Sequence, residues 1–211
     1  MTPLPFKLML VTQEPPASWE DYLDFILSCC SAGVDAVQLR AKAMPKAKLI
    51  EFALALKEGL RKHKVSFIIN DHLWLAQRIQ PDGLHLGQKD TCIKNARDML
   101  GNDMLLGLSV NSLHDVTLAN ALPVDYLGIG PIFPTRNKPE AKHPVGLNQL
   151  KEAVKLAKHP CIAIGGINTS NVSSVIQCAP KSIACIDAFH ESESPTKTIA
   201  YFKQQLRSRY E

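Results

Sequence analysis

The chain has 211 residues, of which 45% are hydrophobic and 21% charged, and a formal net charge of +4. That length accommodates one well-buried core and the composition is globular, so a disordered or fibrous protein is excluded. The positive charge is mild and lacks a basic run interleaved with aromatics, which argues against a nucleic-acid surface but suits a site for phosphorylated small molecules.

In chain order, short apolar runs predict strands near residues 7–11, 35–39, 66–69, 83–86, 104–108, 125–129, 161–164 and 182–186. Amphipathic stretches between them predict helices over 19–31, 45–63, 73–79, 92–100, 113–121, 147–157, 170–177 and 196–207. In the second helix Leu49, Phe52, Ala53, Leu56 and Leu60 recur at helical spacing and form one apolar face. Eight strand–helix units of about 26 residues each predict a (β/α)8 TIM barrel as a single domain over residues 1–211, rather than an open doubly wound sheet. No flexible linker or low-complexity tract divides the chain. The final helix is expected to close the barrel.

Cys29, Cys30, Cys92, Cys161, Cys178 and Cys185 form no CxxC pair and read as reduced thiols. The first residues run into the Leu8–Val11 strand without the apolar core of a signal peptide, and no apolar run approaches the roughly 18 residues of a membrane span. A cytoplasmic protein that avoids membranes and nucleic acid is expected, with homo-oligomerisation left open.

A barrel gathers the C-terminal ends of its strands into one mouth, and polar residues follow nearly every apolar run here. Gln38, Arg40 and Lys42 alternate with Leu39 and Ala41, so the polar three share one side of an extended segment. Two cations beside an amide suit a phosphorylated ligand carrying a hydrogen-bonding ring, although a solvated strand end would look the same in isolation. Asn70 and Asp71 end the third strand, and Asp90 follows the fourth. Two carboxylates from adjacent strand ends describe a hard oxygen site for Mg2+ bridging substrate phosphates, with a helix cap as the plainer role for Asp71 alone. His85, between two leucines, reads as a satisfied structural histidine, and His72 as a solvated helix-opening residue. Ser109 ends the fifth strand and alone could be a turn hydroxyl. The long 128–139 segment supplies Thr135 and Lys138 and could fold over a ligand. Gly165 and Gly166 end the seventh strand, where backbone N–H groups can approach a phosphate.

Together the segments QLRAK, IINDHLWLA, DGLHLGQKD, GLSV, YLGIGPIFPT and AIGGI, in this order from Val11 to about Ala188, resemble thiamine phosphate synthases of the thiazole tautomerase superfamily. The resemblance implies a (β/α)8 enzyme that joins 4-amino-5-hydroxymethyl-2-methylpyrimidine diphosphate to thiazole phosphate, releasing diphosphate through a pyrimidine methyl cation. It implies that Gln38, Arg40, Lys42, Asn70, Ser109 and Lys138 hold the pyrimidine diphosphate, with Arg40, Lys42 and Lys138 serving its departure and Leu39 and Ala41 among the substrate-binding residues. It further implies that Asp71 and Asp90 hold Mg2+, and that Thr135, Arg136, Asn137, Gly166, Ile186 and Asp187 lie toward the thiazole phosphate.

Two segments depart from the family pattern. The loop usually reads Thr-x-Thr-Lys and here runs Thr135, Arg136, Asn137, Lys138; strand eight carries Ile186 and Asp187 where a Val-Ser phosphate clasp is common. A carboxylate there would repel a phosphate. The alternatives are a thiazole phosphate tautomerase, for which a histidine is expected where Pro131 stands, and a non-catalytic phosphate-ligand binding protein on a barrel scaffold.

Overall fold

A computed structural model describes residues 4–16, 18–136 and 143–210. Eight parallel strands close into a barrel in sequence order: β1 (Leu8–Val11), β2 (Ala36–Leu39), β3 (Ser66–Asn70), β4 (Gly83–Leu86), β5 (Leu105–Val110), β6 (Tyr126–Ile129), β7 (Cys161–Ile164) and β8 (Ser182–Cys185). The helices are α1 (Glu20–Ser31), α2 (Lys46–His63), α3 (Leu73–Ile79), α4 (Ile93–Leu100), α5 (Leu113–Ala119), α6 (Gly146–Leu156), α7 (Val172–Gln177), α8 (Asp187–His190) and α9 (Pro195–Tyr210). Every predicted element is present. The sequence reading overlooks α8, whose four residues are too few to show a helical period.

The pleat divides the apolar residues into two cores. Leu8, Leu10, Val37, Leu39, Phe67, Ile69, Leu84 and Leu86 face outward and pack with Leu49, Phe52 and Leu56 of α2 and their counterparts on the other helices. Met9, Val11, Ala36, Ile68, Tyr126, Ile162 and Ala184 point inward, and Leu4 and Phe6 fill out this inner cluster. Both faces of each strand are therefore buried, which is why the strands read as nearly continuous apolar runs.

Aspartates stitch the N-terminal ends of the strands together. Asp35 Oδ2 accepts the backbone N–H groups of Lys7 and Leu8 at 3.1 Å, Asp82 accepts Phe67 N–H at 2.7 Å, and Asp125 accepts Leu106 N–H at 2.7 Å. Each aspartate immediately precedes an even-numbered strand and binds the start of the odd-numbered strand before it. Lys203 of α9 reaches Asp35 at 2.7 Å, so the last helix is tied to the barrel floor. That end is committed to structure, which leaves the opposite mouth for chemistry.

Candidate active site

A cavity of about 1180 Å³ opens at the C-terminal mouth. Its walls bring together Gln38, Arg40 and Lys42 from the end of β2, Asn70 and Asp71 from β3, Asp90 beyond β4, and Ser109 from β5. Thr135, Arg136, Gly166, Ile186 and Asp187 complete the far side. Asn137 and Lys138 lie outside the described residues.

Two of the expected ligand-contact residues turn their side chains away from the cavity. Leu39 and Ala41 are buried in the outer core, so their side chains face the helices and not the cavity. Their backbone still contributes: Ala41 C=O lies 2.7 Å from Nε2 of His72, which is half-buried and paired instead of solvated.

Deep in the mouth, Gln38 is buried with its amide 3.6 Å from Met9 Sδ. His85 occupies the centre of the floor as a satisfied histidine. Its Nδ1 lies 3.1 Å from Tyr126 Oη, its Nε2 lies 2.9 Å from Ser109 Oγ, and its ring stacks on Tyr126. A Cβ on Gly107 would stand 2.2 Å from the Tyr126 ring and 2.5 Å from His85 Nδ1, so a larger residue there would displace the pair.

Asp71 has a left-handed backbone (φ 62), and its N–H binds His85 C=O at 2.8 Å. Burial, together with a hydrogen bond and like charge from Asp90, pushes its carboxyl up to about 6, against opposition from Lys42 and His72. Asp90 Oδ2 also accepts Gly87 N–H at 2.6 Å, which fixes the orientation of one partner of the pair.

On the opposite rim, the β6–α6 segment is pinned to the end of β7. Ile132 N–H binds Ile164 C=O and Phe133 N–H binds Gly165 C=O, both at 3.0 Å. Gly165 and Gly166 have φ of 98° and 66°, and a Cβ on either would stand 2.6–2.7 Å from Pro131 or Phe133. Arg136 ends this described stretch in an exposed ion pair with Glu191 at 2.7 Å. Asp187 is the first residue of α8, and Gln13 Nε2 approaches its carboxylate at 3.4 Å.

Residues 8–189 match the family model for thiamine monophosphate synthase. The chain belongs to the thiamine monophosphate synthase family. It is 41% identical over 199 residues to the thiamine-phosphate synthase of Chlamydia abortus (strain DSM 27085 / S26/3), with 94% of each chain covered. It is 36% identical over 194 residues to that of Persephonella marina (strain DSM 14350 / EX-H1), with 92% of each covered. Among solved structures, a thiamine phosphate pyrophosphorylase from Pyrococcus furiosus superposes with a TM-score of 0.87 at 27% identity over 98% of both chains. Family membership agrees with the order of motifs around the barrel.

The sequence reading missed several residues at this mouth. Thr12 and Glu14, just beyond β1, bind the backbone of the segment that carries Arg40 and Lys42. Gln88, Asn111 and Asn168 also line the cavity. A polar residue following an apolar run was the available signal for Thr12 and Asn111.

Proposed function

We propose that this cavity condenses 4-amino-5-hydroxymethyl-2-methylpyrimidine diphosphate with thiazole phosphate to give thiamine phosphate and diphosphate. The observation that carries the reading is the meeting of Arg40, Lys42, Asp71 and Asp90 in one cavity of a chain of this family. Gln38, Asn70 and Ser109 offer hydrogen bonds to the pyrimidine diphosphate, and Thr135 and Gly166 face the thiazole phosphate. The carbon–oxygen bond to the diphosphate breaks with its electron pair leaving on oxygen, and the thiazole nitrogen lone pair forms the new carbon–nitrogen bond. Bond formation consumes no proton, so no general base is assigned. Arg40 and Lys42 meet charge that grows on the leaving group, and the sequence adds Lys138 to them. The remaining task is to hold the thiazole nitrogen in line with the exocyclic carbon.

The acidic pair fits a magnesium ion. Among the described residues no cluster of three or more His, Cys, Asp or Glu side chains is arranged to hold a metal. Mg2+ commonly takes only one or two carboxylates and completes its shell with water and substrate phosphate oxygens. Asp71 and Asp90 supply the carboxylates, and the raised Asp71 pKa marks a pair that a cation would relieve. Bound there, the ion would neutralise charge on the departing diphosphate.

The six cysteines, none of them in a disulfide, support a reducing cytoplasm as the working compartment. Among the described residues no helix is long and apolar enough to cross a membrane. The deciding experiment measures diphosphate release from purified protein with both substrates and magnesium, omitting each in turn. Release that requires all three components, matched by thiamine phosphate, supports the reading. No release from folded protein overturns it.

A further inference from the structure

β1 and β2 pair in parallel, with Met9 opposite Ala36, Leu10 opposite Val37 and Val11 opposite Gln38. One more backbone bond, Thr12 N–H to Gln38 C=O at 2.9 Å, carries the ladder past the last paired strand residues. Side chains then take over. Thr12 Oγ1 accepts Arg40 N–H at 2.9 Å and donates to Arg40 C=O at 3.1 Å, satisfying both backbone groups of that residue with one fully buried hydroxyl. Two residues further on, the Glu14 carboxylate accepts N–H groups from Lys42 at 2.7 Å, Ala43 at 2.9 Å and Met44 at 3.0 Å.

The spacing gives these contacts a purpose beyond loop closure. Gln38 and Arg40 are alternate residues on one face of the extended chain, which then bends at Lys42, Ala43 and Met44. β2 itself ends at Leu39. Arg40 and Lys42 would be free to turn away beyond that point, yet each is held by the alternate β1-side residue, Thr12 or Glu14. Both cations line the cavity, whereas neither Thr12 nor Glu14 does.

We infer that Thr12 and Glu14 are positioning residues whose side chains hold the backbone of Arg40 and of the 42–44 bend, and thereby pre-set Arg40 and Lys42 for a diphosphate group. The assignment rests on the proposed function for the identity of the natural ligand. A backbone already fixed at both cations spares the ligand part of the cost of placing them, so loss of these contacts weakens diphosphate binding and leaves the thiazole phosphate side alone. Thr12→Val keeps the side-chain volume and removes both hydroxyl bonds; Thr12→Ser keeps the hydroxyl. Glu14→Ala removes an exposed carboxylate, so it tests the same idea where folding is not at stake.

The test titrates inorganic diphosphate with magnesium into each variant by calorimetry and, separately, determines KM for each substrate. Thr12→Val and Glu14→Ala are expected to weaken diphosphate binding by about tenfold. They should raise KM for the pyrimidine diphosphate in parallel, with KM for thiazole phosphate unchanged and Thr12→Ser near wild type. Unchanged diphosphate affinity in folded Glu14→Ala, or equal changes in both KM values, overturns the inference. Should wild-type protein bind diphosphate in this Glu14-dependent way yet form no thiamine phosphate, the proposed reaction fails while the positioning role stands.

Discussion

The Tyr126 hydroxyl lies 3.1 Å from Nδ1 of His85, and this is its one hydrogen bond among the described residues. Burial raises the phenol's pKa, so it keeps its proton. A buried O–H without an acceptor is costly, so the phenol donates and Nδ1 accepts. The neutral imidazole then carries its proton on Nε2 and donates to Ser109 Oγ at 2.9 Å. Ser109 is left with its own proton to offer a ligand in the cavity. Nitrogen NMR of histidine-labelled protein should show His85 unprotonated at Nδ1 and protonated at Nε2; the opposite tautomer would reverse the chain of donors. Tyr126→Phe should cost about 1 kcal/mol in urea unfolding.

Asp90→Asn separates stability from metal response. Burial and the neighbouring Asp90 raise the Asp71 pKa to about 6, so the ionised pair opposes folding near neutral pH when no cation is bound. Removing one of the two charges should therefore raise the melting temperature of metal-free protein, by about 2–4 °C for a gain of about 1 kcal/mol. The same change should weaken the magnesium dependence of diphosphate release. A variant with wild-type magnesium response would remove Asp90 from the metal site.

Asp187 lines the cavity with Gly165 and Gly166. A carboxylate on that side opposes an incoming phosphate through space, an effect that dissolved salt screens. Asp187→Ser should lower KM for thiazole phosphate severalfold at low ionic strength, with the advantage shrinking as salt is added. A higher KM in the variant would show that the carboxylate makes a favourable contact.

The barrel is legible in the sequence because all eight strands are short, apolar and spaced by helical patterns. The cavity residues that follow them are legible because strand ends in a parallel barrel converge. What escapes is whatever depends on a partner remote in the chain. The alternation of Gln38, Arg40 and Lys42 with Leu39 and Ala41 is legible, and Leu39 and Ala41 do turn into the outer core, but which backbone groups of this run are bound by remote side chains is not. Thr12 and Glu14 escape because their partners lie 28 to 30 positions away, and only the β1–β2 register brings them together. α8 escapes because it spans only four residues and its long-range support, His190 Nε2 against Tyr22 Oη, comes from the other end of the chain.

Those two His190 contacts give the last prediction. Nδ1 lies 2.8 Å from Ile186 C=O and must donate to it, so Nε2, 2.7 Å from Tyr22 Oη, accepts the phenolic proton. Tyr22 Oη in turn accepts Gln13 N–H at 2.9 Å. This arrangement needs a neutral imidazole. Burial lowers the His190 pKa below its usual 6.5, although Ile186 C=O and the Asp187 and Glu191 carboxylates pull the other way. Below pH 6.5 the unfolded chain therefore binds a proton that the folded chain resists, and folding stability falls with pH until the folded-state pKa is passed. Above pH 6.5 the contribution is complete. His190→Asn keeps a donor for Ile186 C=O but has no group that titrates in this range. Urea unfolding at pH 7.5 and pH 5 should show a smaller acid loss in the variant than in wild type. Equal losses would mean that protonation of His190 is not what weakens the barrel in acid.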